Sequence, residues 1–263
     1  QSQVARGDVA IGTFEFHGGC LGLGSGDCMT KGRAGSALQC GMQSTQLPEI
    51  CWQEGGQERR ARWRSEAGIA PHADIRIADD RTGADDAYRL LESGTALLWR
   101  GDWVNARHLM QALTKRADRR FGAVRGKAPK TPAEAFARHR EIQGKRAALL
   151  NRLLVPLDAD YSVPLRRAQD AAEACRAAYG ELGGEDSLVA LRELLAVISA
   201  HEWRKKGVPV PAVQGRIHPH YGVFSPVRGE YVDLLASAPI PAGCNLAFDI
   251  GTGSGIIAAV LAR

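Results

Sequence analysis

The sequence lacks the features that would assign it to a membrane or secreted class. Among its 263 residues, no window approaches the roughly 18 consecutive apolar side chains that a membrane-spanning helix needs. No basic segment followed by an apolar run stands near the start, so we expect no secretory signal and a cytoplasmic location. The first residue is Gln1 and not Met, from which we expect a processed chain or a fragment. The content of 44% hydrophobic and 24% charged residues excludes a collagen or a fully disordered chain.

Closely spaced cysteine pairs are also missing. The six cysteines include no Cys-x-x-Cys pair, which a structural zinc site normally shows. Because disulfides are rare in reducing compartments, we predict free thiols and no metal site. The cysteines stand at positions 20, 28, 40, 51, 175 and 244.

Positive charge is concentrated in one part of the chain. The net charge is +5, and residues 100–152 hold 14 Lys or Arg against 4 Asp or Glu. Such a basic stretch can contact the phosphates of a nucleic acid, and the alternative is the solvated face of ordinary helices. No aromatic residues alternate with these cations as they would in a surface that stacks RNA bases.

The first third of the chain differs from the rest. Residues 1–80 are rich in Gly, Ser, Gln and Cys, and only residues 9–16 have a strand-like pattern. No helical periodicity is sustained there. We therefore predict that residues 1–80 are a poorly structured or non-native extension.

Residues 81–207 show apolar periodicity and capping signals that are typical of helices. Apolar stripes over 85–99 and 104–117 predict two antiparallel helices joined by a short turn, with Asp102 as N-cap of the second. Thr131, Pro132 and Glu134 form a capping box with proline at the first helical position, and predict a helix to about residue 154. Further helices are expected near 170–179 and 187–206. We predict a helical substrate-recognition domain over 81–207, followed by a proline-rich linker at 208–215.

The most informative motif is Asp249-Ile-Gly-Thr-Gly-Ser-Gly255. An apolar strand over 246–250 would deliver Asp249 to its carboxyl end, and a helix would start at Ile256. The glycines allow a sharp turn and the close approach of a ligand beside the helix N-terminus. Ile256 stands where a dinucleotide fingerprint needs a third small residue, and the lysine of a P-loop is absent. A glycine-rich turn without a ligand and a degenerate NAD site stay open as alternatives.

The Asp-x-Gly-x-Gly-x-Gly pattern resembles the first motif of class I S-adenosylmethionine-dependent methyltransferases. In that family the loop wraps the methionine and ribose part of the cofactor, and the acid reaches its amino group. The resemblance implies S-adenosyl-L-methionine as cofactor. It implies these cofactor-binding residues: Asp249, Gly251, Thr252, Gly253 and Gly255.

A second resemblance lies about 20 residues upstream. Residues 221–235 are similar to the lead-in of the methyltransferase small-domain superfamily, which includes rRNA and tRNA N-methyltransferases and the release-factor glutamine methyltransferases. Phe224, Pro226, Arg228 and Glu230 are the matching types, and Val227 departs from a tight Pro-Arg pair. The resemblance implies that Phe224 and Arg228 contact the cofactor and that residues 230–236 form a helix.

Together these resemblances imply an α/β protein overall. A helical N-terminal domain would precede the start of a Rossmann-like methyltransferase domain over 216–263, truncated after its first strand and helix. The expected reaction is N-methylation of an RNA base or a protein glutamine, with RNA, the ribosome or a translation factor as partner. The superfamily's Asn-Pro-Pro-aromatic motif occurs nowhere in the chain. We therefore assign no catalytic residue, and expect no methyl transfer by this polypeptide alone.

The second hypothesis comes from another class of protein. Residues 83–118 have the proportions of a tetratricopeptide-like hairpin. The chain would then be a helical interaction module with a vestigial nucleotide-binding tail. Salt-dependent RNA binding favours the methyltransferase, whereas salt-independent peptide binding favours the interaction module.

Overall fold

The computed structural model describes residues 47–122, 129–181, 184–224, 229–244 and 246–262. These residues form a mixed α/β fold with a six-stranded sheet, a two-stranded ribbon and seven α-helices, so the expected α/β class is confirmed. The strands are β1 Glu49–Glu54, β2 Gln57–Arg64, β3 Ile75–Ala78, β4 Ala96–Trp99, β5 Leu153–Leu157, β6 Ser187–Ala190, β7 Val208–Val210 and β8 Gly215–Ile217. The helices are α1 Ala84–Ser93, α2 Trp103–Gly122, α3 Pro132–Leu150, α4 Ala172–Tyr179, α5 Leu191–Lys206, α6 Glu230–Ser237 and α7 Ile256–Leu261.

The large sheet mixes parallel and antiparallel pairs in the order β1-β2-β6-β5-β4-β3. Strands β3, β4 and β5 run parallel, whereas β6 is antiparallel to β5 and parallel to β2. β1 and β2 form an antiparallel hairpin. Its turn residues, Gly55 and Gly56, have φ of 61° and 77°, which glycine adopts without steric cost.

The sheet curls so strongly that its two edge strands, β1 and β3, lie against each other. Arg100, just after β4, links the two sides of the curled sheet by an ion pair with the end of β1. Its guanidinium donates to both carboxylate oxygens of Glu54, with Nε–Oε1 at 2.8 Å and Nη2–Oε2 at 2.7 Å. The curled sheet therefore has an inner face, enclosed by the strands, and an outer face covered by helices.

Side-chain alternation divides the hydrophobic core between these two faces. In β4, Ala96 and Leu98 belong to the inner core, and Leu97 and Trp99 belong to the outer core. The buried residues of the inner core are Ile50, Trp52, Trp63, Ala96, Leu98, Leu154 and Leu188. The outer core includes the buried faces of α1, α2, α4 and α5. Because both faces are covered, β4 and β5 are buried at every position.

The prediction of a helical domain over 81–207 needs correction, because three strands lie between its helices. These strands are β4, β5 and β6. Periodicity cannot distinguish a short apolar run from the stripe of a buried helix, so the sequence pattern predicts the end of one helix at 96–99 and of another at 153–154. Since β4 separates α1 from α2, these two helices do not form the tetratricopeptide-like hairpin.

Two further boundaries are corrected. Residues 49–78 supply β1, β2 and β3, so the prediction of a poorly structured segment over 1–80 is wrong for that part; residues 1–46 lie outside the described residues. β1 was missed because only Ile50 and Trp52 of its six residues are buried. The predicted linker at 208–215 instead contains β7 and the start of β8, with Val208 and Val210 buried.

Asp102 caps α2, as the sequence predicted. Its Oδ1 accepts a hydrogen bond from the amide of Val104 at 2.9 Å. Its Oδ2 accepts from Nε of Arg167 at 2.6 Å and from Nε of Arg166 at 3.0 Å. The hydrogen bond from Arg167, followed by those from Val104 and Arg166, outweighs burial and lowers the pKa of Asp102 to about 2.

We expect Asp102→Asn to remove an acid-sensitive part of the stability. Because the pKa of Asp102 is about 2 in the folded chain against an ordinary 3.8, its carboxylate stabilises the fold fully above about pH 4. That contribution is lost as the pH falls towards 2. Urea unfolding across this pH range should show a steeper loss of stability in the native chain than in Asp102→Asn. Equal slopes for the two proteins would contradict the prediction.

Candidate functional site

The predicted glycine loop belongs to a small group of elements near the end of the chain. Val210 from β7, Val232 from α6 and Ile256 from α7 are buried against one another. Helices α6 and α7 begin at Glu230 and Ile256, where the sequence predicted helix starts. The contact between α6 and α7 supports the loop that precedes α7.

The strand predicted over 246–250 is not present in the structure. Leu246, Phe248 and Ile250 are exposed, Ile250 to 95%. A parallel strand needs hydrogen-bonding neighbours along its edges, and in the described part of the chain no strand pairs with this segment. The apolar pattern that predicted a buried strand therefore lies on the surface.

The glycines of the loop adopt conformations that other residues rarely take. Gly251, Gly253 and Gly255 have φ of 79°, 53° and 73°. The amide of Gly255 donates to the carbonyl of Thr252 at 2.8 Å, which closes the turn before α7. A Cβ atom at Gly251 or Gly255 would meet no atom within 4 Å. The backbone is therefore open on that side to the close approach of a ligand.

Asp249 is held against the helix that follows the loop. Its Oδ2 accepts a hydrogen bond from the amide of Ala258 at 3.2 Å. Within the described residues, Oδ1 accepts no hydrogen bond. The amide of Ala258 thus fixes one carboxylate oxygen of Asp249 against α7.

Phe224 meets the glycine loop, although 29 positions separate it from Gly253. A Cβ atom built on Gly253 would lie 3.3 Å from the carbonyl oxygen of Phe224 and 3.4 Å from its Cβ. The Phe224 ring, 69% exposed, lies 6.5 Å from the ring of Tyr231. The structure therefore brings two of the predicted site residues into contact, whereas Arg228 lies outside the described residues.

A buried polar cluster, which the sequence did not predict, lies at the end of β2. Arg64 is 9% exposed, and its Nε has no hydrogen-bond partner among the described residues. The guanidinium carbon lies 4.5 Å from the ring centre of Tyr179 and 5.3 Å from that of Tyr161. The hydroxyl of Tyr179 donates to Oε1 of Glu193 at 3.2 Å.

This cluster adjoins the segment that leads to the glycine loop. Burial, and then the charge of Glu193, raises the pKa of Tyr221, which packs against the outer core three residues before Phe224. Burial also raises the pKa of Glu193, and the Arg64 charge opposes this shift. The members of the cluster are distant in sequence, so no local spacing could have revealed them.

The described residues contain neither a cluster of metal ligands nor a membrane-spanning helix. In residues 47–262, outside the gaps given above, no group of three or more His, Cys, Asp or Glu side chains could hold a metal ion. Within the same ranges, no helix is long and apolar enough to cross a bilayer. Cys51, Cys175 and Cys244 are free thiols, and burial raises the pKa of Cys175 to about 11. The cysteines at 20, 28 and 40 lie outside the described residues.

Comparisons with known proteins place the chain in no family, since neither a protein-family model nor a curated protein matches it.

Proposed function

We propose that the chain is part of an S-adenosylmethionine-dependent methyltransferase and that its glycine loop binds this cofactor. The observation that carries the proposal is the geometry of Asp249–Gly255. Three glycines with left-handed φ open the backbone, and a preceding carboxylate is held with one oxygen available. The acceptor in this proposal is a nitrogen of an RNA base or of a protein glutamine.

The chemistry of the loop fits this cofactor better than a nucleotide with phosphates. S-adenosylmethionine carries a sulfonium and an amino group and has no phosphate, so it needs a carboxylate and not a lysine. Asp249 supplies the carboxylate, and Gly251 and Gly255 leave room for a ligand beside the backbone. The exposed ring of Phe224 at Gly253 would cover one side of the bound cofactor. The cofactor would supply the methyl group, and these residues would bind and orient it.

The exposed segment 246–250 supports a second part of the proposal, namely that residues 216–263 are the start of a Rossmann-like domain. Leu246, Phe248 and Ile250 are apolar and exposed, and this segment has no strand partner in the described part of the chain. In the proposed domain, further strands would pair with the segment and cover these side chains.

Titration of the full chain with S-adenosylhomocysteine tests the proposal. We expect chemical-shift changes in a ¹H–¹⁵N spectrum at Gly251, Gly253 and Gly255, because the ligand would contact their amides. Binding is the readout, and turnover is not expected from this polypeptide, since it contains no Asn-Pro-Pro motif. An NADH titration tests the degenerate dinucleotide site.

Two glycine substitutions provide a matched pair of variants. Gly251 and Gly243 have φ of 79° and 81°, and a Cβ at either meets no atom within 4 Å. Gly251→Ala should weaken the response by about tenfold or more, which corresponds to about 1.4 kcal/mol, whereas Gly243→Ala should leave it unchanged. Shifts produced by NADH alone, or equal effects of both variants, would contradict the proposal.

A further inference from the structure

Helix α3 packs against α2 along one side, and most of its residues are exposed. Of its 19 residues, only Leu149 and Leu150 in the last turn are buried. A contact with α2 holds the helix further along, where Nε of Arg146 donates to Oδ1 of Asp118 at 2.6 Å, and a capping box stabilises its first turn. The amide of Glu134 donates to Oγ1 of Thr131 at 3.2 Å, and the Glu134 carboxylate accepts from the amide of Lys130 at 2.7 Å.

One exposed face of this helix carries planar side chains. Phe136, His139, Arg140 and Gln143 are exposed and spaced at i, i+3, i+4 and i+7, so they lie side by side; we call them the Phe136 face. Phe136 is 63% exposed, and the guanidinium carbon of Arg140 lies 5.9 Å from its ring centre. Aromatic residues do not alternate with the cations of this stretch, but Phe136 lies beside one of them on the surface.

Packing does not explain this arrangement. A single exposed apolar side chain is common on protein surfaces and needs no function. The Phe136 face differs because a phenyl ring, an imidazole, a guanidinium and an amide occupy neighbouring exposed positions of one helix. Aromatic rings and guanidinium groups stack on nucleobases, and the N–H groups of imidazole, guanidinium and amide side chains donate hydrogen bonds to them.

The charge distribution favours an anionic partner. Neither carboxylate of α3, Glu134 or Glu141, occurs at the four positions of the Phe136 face. The carboxylate of Glu141 accepts from Lys145 at 2.6 Å, so it is neutralised elsewhere on the helix. Arg140 therefore carries its positive charge beside an exposed ring, with no acidic residue on its own face.

We propose that the Phe136 face binds single-stranded RNA. A base stacks on the ring of Phe136, and the guanidinium of Arg140 contacts the adjoining phosphate, with His139 and Gln143 available for further hydrogen bonds. The binding is separate from the glycine loop and requires no cofactor. The additional step, that RNA is the methyl acceptor, rests on the proposed function.

Fluorescence anisotropy of the full chain with a short labelled single-stranded RNA tests the binding. Phe136→Leu keeps an apolar side chain but removes the ring, so we expect the dissociation constant to rise about tenfold, while Phe136→Tyr should retain binding. Because Phe136 is mostly exposed, neither variant should alter the circular dichroism spectrum.

A pair of charge variants separates this face from general electrostatic attraction. Arg140→Ala and Lys145→Ala each remove one positive charge from exposed positions of α3. We expect Arg140→Ala to weaken binding at least fivefold more than Lys145→Ala at the same salt concentration. Equal effects of the two variants, or unchanged binding by Phe136→Leu, would overturn the proposal. Tighter binding of an acidic peptide than of RNA would also overturn it.

A failure of RNA binding can be distinguished from a failure of cofactor binding, because the two experiments are independent. The RNA titration contains no cofactor, and the S-adenosylhomocysteine titration contains no RNA. The loss of one response therefore leaves the other interpretable.

Discussion

Trp63→Ala should lower the free energy of unfolding by about 3 to 5 kcal/mol, the range for removing a large side chain from a packed core. Trp63 is 1% exposed in the inner core, and its indole Nε1 donates to the carbonyl of Ile69 at 2.6 Å. Its ring also contacts that of His72 edge to face, with 5.2 Å between centres. The truncation leaves a cavity inside the curled sheet and removes the hydrogen bond that holds the loop after β2.

Trp203 provides the matched control. It lies on α5 and is 54% exposed, so Trp203→Ala deletes the same atoms with an expected cost below about 1 kcal/mol. Urea unfolding followed by far-ultraviolet circular dichroism measures both variants without relying on tryptophan fluorescence. If both variants lost stability equally, the inner core would not be the buried centre that the structure describes.

Arg64→Met should destabilise the protein by about 2 kcal/mol at neutral pH, the order of a desolvated cation–π contact, although methionine has a similar length. The substitution removes the guanidinium from the rings of Tyr161 and Tyr179, and it removes a cation that opposes the rise in the pKa of Glu193. A half-buried carboxylate without that cation is costly. Arg81→Met changes an exposed arginine in the same way and should be nearly neutral.

The pH dependence of Arg64→Met follows from Glu193. Because the pKa of Glu193 is already raised from 4.5 in the folded chain, the folded state binds its proton more tightly than the unfolded state. This contribution is complete below pH 4.5, and it is lost as the pH rises through the raised pKa. Removal of Arg64 raises that pKa further, so the deficit of Arg64→Met should shrink at acidic pH.

The double variant Arg64→Met/Glu193→Gln tests this coupling. Glutamine keeps an oxygen that accepts from Tyr179 and carries no charge, so the double variant should recover much of the stability at neutral pH. Urea unfolding of the four proteins of the cycle provides the coupling energy. Additive losses would show that the two side chains act independently.

Local chemistry predicted the helix starts correctly. Asp102 and Thr131 cap α2 and α3, and α6 and α7 begin at the expected residues. A cap depends on residues within one turn of each other, so its signal is complete in a short piece of sequence.

The sequence pattern did not predict strands β4, β5 and β6, for a physical reason. Each is a run of four or five buried residues covered on both faces, and such a run has no alternation to distinguish it from a helix. β1 and β2 were missed because much of each strand is exposed and charged. Pairing between distant segments, which the local sequence does not record, determines β4, β5 and β6.

In the candidate site too, the sequence predicted the local turn geometry correctly but not the strand, which depends on distant partners. The positive φ angles at Gly251, Gly253 and Gly255 agree with the glycine spacing. The contact between Phe224 and Gly253 joins two motifs that were identified separately. The strand over 246–250 was not found, because an apolar pattern predicts burial only where other strands are present to pair with it.

The parallel pairing of β2 with β6 has a consequence for how the chain emerges from the ribosome. Arg62 on β2 forms an ion pair with Glu185, and the two residues are 123 positions apart. At a synthesis rate of about 5 to 20 residues per second, β6 is made roughly 6 to 25 seconds after β2. During that interval the β1–β2 hairpin has an open edge and the uncovered indoles of Trp52 and Trp63. This hairpin, the first of the described strands to be made, therefore completes its burial only after β6 is made, and in that interval we expect it to need protection by a chaperone.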